Sequence, residues 1–166
     1  LGFVRDMVLA RLFGATPAAD AFFVAYRIPN LLRELFAEGS MSAAFIPVFT
    51  EYHTLKTKRD AWELASATFT TLLTIVTVVA LLGIVAAPGI VWLLAPGFHE
   101  SPDKLALTTL LTQVMFPYLV FISLAALAMG ILNSLRAFAA PAFSPVFFNI
   151  FTIACMLFLA PWLPEP

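Results

Sequence analysis

Eight charged side chains crowd the first forty residues of an otherwise apolar sequence: Arg5, Asp6, Arg11, Asp20, Arg27, Arg33, Glu34 and Glu38, set among Leu, Phe, Val and Ala. Arg5 and Arg33 carry the most chemical information. Each sits well inside an apolar context, and an always-charged guanidinium grips phosphate through two parallel hydrogen bonds. Charge is costly at membrane depth, and a chain that keeps it there lines a water-filled path or binding cavity with it. An arginine-bearing cavity suits an anionic, phosphate-containing substrate, and the contrast with the apolar remainder points to transport.

Helical geometry gathers a second set. Asp20, Arg27, Asn30, Glu34 and Glu38 follow one another at intervals of seven, three, four and four residues, which places them on one helix face as a polar stripe of mixed sign. In a regular helix Arg33 lies about 120° from Arg27, although Pro29 can shift that phase and bring Arg33 to the same cavity. Plainer readings stand beside these. Arg27 with Glu34, or Arg33 with Glu38, are alternatively neutralising pairs between helices. Asp20 is alternatively the N-cap or first-turn acid of its helix. Arg11 and Arg27 are placed to snorkel toward a membrane surface.

The rest of the chain has to hold these residues in a bilayer. Three charge-free runs, Leu64–His99, Leu105–Leu135 and Ala137–Pro164, each exceed the ~20 apolar residues that cross a membrane. Only 11% of residues are charged, 61% are hydrophobic and the mean hydropathy is +0.96. An ordinary globular domain is about one quarter charged. The 166 residues therefore read as one all-α, polytopic transmembrane helix bundle with five segments. These are 1–13, too short to span by itself; 18–50, interrupted by Pro29, by Glu38-Gly39-Ser40 and by Pro47; 64–94; 105–132; and 143–160. The stretch GATPAAD at 14–20 is a turn, and Thr16-Pro17 is suited to start the next helix. Gly83/Ala87 and Ala126/Gly130 allow close helix contact.

Lys56, Lys58 and Arg59 share one connecting segment and Arg136 lies in another, whereas the segment between them carries Glu100, Asp103 and a single Lys104. The positive-inside rule puts the Lys/Arg segments in the cytoplasm. A net charge of -1 argues against nucleic acid as a partner. No Gly-rich phosphate loop, HExxH or GxSxG motif is present, and His53 and His99 fall on opposite sides of the membrane. The expectation is no catalytic residue, no metal and no cofactor, and ATP hydrolysis within the chain is not expected. Cys155 sits in an apolar run as a packing residue. No cleavable signal peptide is visible, and Leu1 begins inside what reads as a helix already under way, so the sequence reads as part of a longer polytopic protein.

The stretch LGFVRDMVLARLFGA, followed by DAFFVAYRIPNLLRELFAEGSMSAAFIPVF, resembles the MurJ/MviN family of lipid II flippases. APGF at 95–98, FPYL at 116–119 and GILNS at 130–134 continue the likeness in the family's order, and RIPNLLRELFAEG is its most specific part. The resemblance implies the multidrug/oligosaccharidyl-lipid/polysaccharide exporter fold, with two helical lobes around a central cavity. This chain would supply most of the N-terminal lobe and would depend on the missing C-terminal lobe. It also implies the substrate lipid II, the undecaprenyl-pyrophosphate-linked precursor of peptidoglycan, surrounding membrane lipids, and a place in the bacterial cytoplasmic (inner) membrane. By similarity, Arg5 and Arg33 match arginines that engage the pyrophosphate, Asp6 matches the acidic neighbour of the first, and Asp20 matches a functionally important acid at the start of the second helix. Glu38 matches an acidic position near the gate between lobes, which groups Arg27, Asn30, Glu34 and Glu38 as cavity-lining or gating residues. Two departures stand out: the family's upstream Ser-Arg pair is absent, and Glu34 stands where many relatives carry a second basic residue. Alternatives are a superfamily exporter of another substrate, such as a drug or other lipid-linked oligosaccharide, and a non-transporting membrane scaffold.

Overall fold

The computed structural model describes residues 1–14, 16–34, 40–159 and 162, and among these it contains helices and no strand. The helices are α1 (Gly2–Phe13), α2 (Pro17–Arg33), α3 (Ser40–Leu55), α4 (Lys58–Leu94), α5 (Pro102–Ser134) and α6 (Ala139–Leu159), with a 3₁₀ turn at Pro96–Phe98 between α4 and α5. α4, α5 and α6 are long and apolar enough to cross a membrane. Trp62 and Trp92 stand exposed near the two ends of α4, thirty positions apart. At 1.5 Å per residue that is ~45 Å, about the thickness of a bilayer with its headgroup regions included, where tryptophan is enriched.

Local sequence explains where the helices start and stop. The Thr16 hydroxyl caps α2 by accepting from the Ala19 N–H at 3.2 Å, and Pro17 occupies the first helical position, where its missing N–H costs nothing. Gly14 closes α1 at φ 56° and ψ -155°, a backbone conformation that glycine alone adopts readily. A reciprocal box starts α4: Thr57 Oγ1 accepts from the Asp60 N–H while the Asp60 carboxylate accepts from the Thr57 N–H. These caps lie in polar sequence, so α4 begins six residues before the apolar run from Leu64, and α5 begins at Pro102 rather than 105. α5 ends with the Ala137 N–H on the Leu132 carbonyl and the Arg136 N–H on the Asn133 carbonyl, with Arg136 left-handed at φ 59°. That is a Schellman termination with arginine where glycine is commonest.

Pro29 and Pro47, expected from sequence to interrupt the second segment, instead lie inside α2, which ends at Arg33, and α3, which begins at Ser40; Glu38 and Gly39 of the third expected interruption lie outside the described residues. A proline removes one N–H from the ladder but leaves the helix otherwise intact when neighbours hold it. Pro88 in α4 illustrates this. It offers no N–H to the Ile84 carbonyl, and Gln113 Nε2 on α5 donates to that oxygen at 3.1 Å. A side chain from the next helix thus replaces a bond that hydrocarbon could not.

α5 is the centre of the bundle: α4 and α2 pack most extensively on it, and α3 and α6 also touch it. Its buried positions, Thr108, Thr112, Phe116, Leu119, Ser123, Leu127 and Gly130, recur at four, four and three. α4 repeats the pattern through Leu72, Val76, Ala80, Gly83, Ala87 and Val91. This eleven-residue period is 3.67 residues per turn, close to the undistorted 3.6 of a helix, so the two long helices keep one seam in contact over many turns. Two core clusters lie along the seam. One joins Phe45 and Phe49 of α3 to Ala61, Ala65, Leu72 and Val76 of α4 and Leu127 of α5. The other joins Ile28 of α2 to Ala87, Val91, Ala95 and Phe116. α1 packs against α6.

Candidate functional site

The described charged residues singled out above lie on α1, on α2 or, for Glu34, at the C-cap of α2, and the structure sorts them by what holds each one. Arg5 is half-buried on α1 and donates from Nε (3.0 Å) and Nη2 (2.8 Å) to a single oxygen, Oδ1 of Asp6. The two residues therefore act as a unit in which a carboxylate already faces the guanidinium. Arg33, at the end of α2, is held differently. Its Nε donates to Asn30 Oδ1 at 2.9 Å in a partly buried setting. Arg33 and the stripe residue Asn30 thus meet, as a three-residue step along a helix permits.

Arg27 on α2 and Glu34 at its C-cap are exposed, and the structure does not pair them with one another. Buried positions of the same helix, Ala21, Ala25 and Ile28, turn into the bundle. Glu38 lies outside the described residues. Among the described residues no three of His, Cys, Asp and Glu converge as metal ligands.

Asp20 has a partner that sequence reasoning passed over. Lys104 Nζ reaches Asp20 Oδ2 at 2.8 Å, joining the first turn of α2 to the first turn of α5 across 84 residues of sequence. Lys104 is largely covered and also rides over the Phe98 ring at 4.1 Å, which favours the cation on the ring's negative face. Beside the pair opens a cleft of about 650 Å³ between Thr16–Ala18 and Ser101, Asp103, Lys104 and Leu107. At this end of α4, His99 stacks on Trp92 with centroids 5.0 Å apart, and its Nε2 lies 2.8 Å from the Trp92 carbonyl, one of the last in the helix. That geometry requires the proton on Nε2.

Asp20 is more than half exposed, so solvent screening limits the Lys104 pair to on the order of 0.5–1 kcal/mol. In a double-mutant cycle on the full-length protein, Asp20→Asn and Lys104→Met are expected to lower stability non-additively by about that amount. The reversed pair, Asp20→Lys with Lys104→Asp, is expected to recover part of the loss. Strict additivity in thermal unfolding would remove the pair as a link between α2 and α5.

A second contact missed from sequence is aromatic. Phe22 and Tyr26, four residues apart on α2, stack with centroids 6.3 Å apart, and Tyr26 meets Tyr118 of α5 at 6.4 Å. The four-residue spacing signals the first pair; nothing in one sequence signals Tyr118.

Three membrane-crossing helices in a bundle, with a charged helical face left outside the core, define a polytopic helical membrane protein. Comparison with known proteins gives the family. The profile of the family described as "Lipid II flippase MurJ" matches residues 9–165, and the chain belongs to that family. A protein of Burkholderia cenocepacia named "Lipid II flippase MurJ" is 42% identical over 165 residues, covering 99% of this chain and 32% of the relative. A "Probable lipid II flippase MurJ" of Vibrio cholerae is 47% identical over 174 aligned residues, covering 100% of this chain and 33% of the relative. The chain thus spans about one third of the length of the curated relatives it matches.

Proposed function

We propose that the full-length protein carrying this chain translocates lipid II across the bacterial cytoplasmic membrane, and that this chain supplies part of one lobe of an alternating-access transporter. The observation that carries the reading is likeness along nearly the whole chain to relatives named as lipid II flippases. The physical need supports it. A pyrophosphate cannot enter hydrocarbon unaided, because an uncompensated charge there costs many kcal/mol. Arg5 and Arg33 replace its hydration with charge-assisted hydrogen bonds, while the polyprenyl tail stays in lipid.

Asp6 holds Arg5 until a phosphate oxygen competes for the same donors. Arg27, Asn30, Glu34 and Glu38 line the aqueous path or meet the gate on the opposite lobe, which accounts for the exposure of Arg27 and Glu34 on this bundle. Asp20, matched by resemblance to a functional acid, acts through Lys104, so its contribution is to the α2–α5 end of the lobe as well as to substrate.

The test is replacement. In a bacterium depleted of its own flippase, the full-length protein is expected to restore growth and to deliver lipid II to the outer leaflet, where an impermeant lipid II-cleaving enzyme reaches it. A protein that inserts in the membrane but leaves lipid II inaccessible from outside overturns the assignment.

A further inference from the structure

We propose that one end of this bundle tilts as a unit on a tier of three prolines, Pro29 in α2, Pro88 in α4 and Pro117 in α5, with Gln113 carrying a backbone carbonyl that the tier leaves without its helical donor. The purpose of the motion rests on the alternating-access reading above; the tier itself rests on packing. Prolines are common in membrane helices, so their presence alone says little. Their level says more. Ile28, Ala87 and Phe116, the residues immediately before the three prolines, share one buried cluster. The three helices therefore each lack a ladder N–H at the same depth.

The bonding at that depth links the helices. Pro88 offers no N–H to the Ile84 carbonyl, and Pro117 offers none to the Gln113 carbonyl. Those two residues meet, because Gln113 Nε2 donates to the Ile84 oxygen at 3.1 Å. From that bond α4 runs ten residues on to Leu94 and α5 eleven residues back to Pro102, ~15 and ~17 Å at 1.5 Å per residue. α2 is in register with them: Asp20, nine residues before Pro29, is bonded to Lys104, nine residues before Gln113. Lys104 over Phe98 and His99 on Trp92 tie the tip of the α4–α5 hairpin together. On the far side of the tier, α3 joins α4 and α5 in the other core cluster. A cap tied by its own side chains, a level with three missing ladder bonds and a separately packed remainder make a hinge. Pro88 and Pro117 face outward, so alanine at either position restores an N–H without opening a cavity in the core.

The experiment uses the full-length protein in a cysteine-free background. Spin labels at Ser101→Cys, on the tip, and Phe121→Cys, beyond the tier on α5, read the bend as a distance; both positions are exposed. The parent is expected to give a broad or two-peaked distance distribution, which Pro88→Ala combined with Pro117→Ala narrows to one peak. The same double variant is expected to unfold at the parent temperature or above it, since each alanine regains a ladder bond, and yet to deliver lipid II to the outer leaflet at least about tenfold more slowly. Gln113→Leu is expected to lower the unfolding temperature of the parent and to matter less beside Pro88→Ala, where the new N–H serves the Ile84 carbonyl. A narrow parent distribution, or one that the alanines leave unchanged, overturns the hinge, and an equal fall for Gln113→Leu in both backgrounds overturns its role there. Delivery at the parent rate by a variant whose distribution has narrowed overturns the inference too, since the transporter then works without the motion. A parent that bends, and stiffens with the alanines, but delivers no lipid II defeats the transport reading and leaves the hinge standing, so the two failures are told apart.

Discussion

On the function proposed above, Arg33→Ala in the full-length protein is expected to abolish growth of a strain depleted of its own flippase, with the protein still present in the membrane at parent levels. The side chain sits at the end of an apolar, proline-containing helix, only partly buried, with its Nε on Asn30. Under the pyrophosphate role proposed for Arg33, removing one member of a desolvated charge-assisted pair costs on the order of 2–5 kcal/mol, or roughly thirty- to several-thousand-fold in binding. Arg33→Lys separates charge from shape. It keeps the positive charge but lacks the planar fork and the Nε donor to Asn30, so partial growth is expected. Growth of the alanine variant equal to the parent would show that Arg33 does not contact the substrate.

Arg5 should respond differently. Its guanidinium is engaged twice by Asp6, so Asp6→Asn is expected to free part of its charge.

Much of this was legible in the sequence because it depends on local order. The apolar runs, the Thr16-Pro17 helix start and the polar stripe each follow from spacing along a single helix, and periodicity reports them directly. Arg33 meeting Asn30 is also local, a three-residue step along one helix. Helix ends were less legible. Hydropathy marks where apolar residues begin, while α4 begins at a Thr57–Asp60 box in polar sequence. Long-range contacts were not legible at all. Lys104 reads as the lone base in an acidic segment until α5 lies against α2 and brings it to Asp20. Gln113 reads as a stray polar residue until Pro88 leaves a carbonyl for it on α4. In each case the partner is chosen by packing between helices, which one sequence does not encode in any spacing.

Among the described glycines, Gly83 has the least room for a side chain, and it sets the second large expected effect. Sequence marked Gly83/Ala87 and Ala126/Gly130 alike as small pairs for close approach, but the structure gives their glycines opposite consequences. A methyl group added at Gly83 would fall inside the van der Waals envelope of the Phe116 ring. That ring is fully buried and packed with Ile28, Ala87 and Val91, so it has no open space to swing into. Either α4 and α5 must separate or the ring must leave its rotamer, an overpacking cost of about 1–3 kcal/mol, against which the better helix propensity of alanine returns up to ~1 kcal/mol. Gly130 is ordinary by comparison: an added methyl meets Ile46 Cγ1 at 3.6 Å and Cδ1 at 3.8 Å, which is normal contact. Gly83→Ala is therefore expected to lower the unfolding temperature of the full-length protein in detergent, and a leucine at the same position to lower it further, while Gly130→Ala leaves it unchanged or raises it. Trimming the opposing ring with Phe116→Leu should recover part of the Gly83→Ala loss, because the two changes act on one contact. The reverse order, with Gly83→Ala neutral and Gly130→Ala damaging, would mean that α4 and α5 do not meet along the Gly83–Phe116 seam.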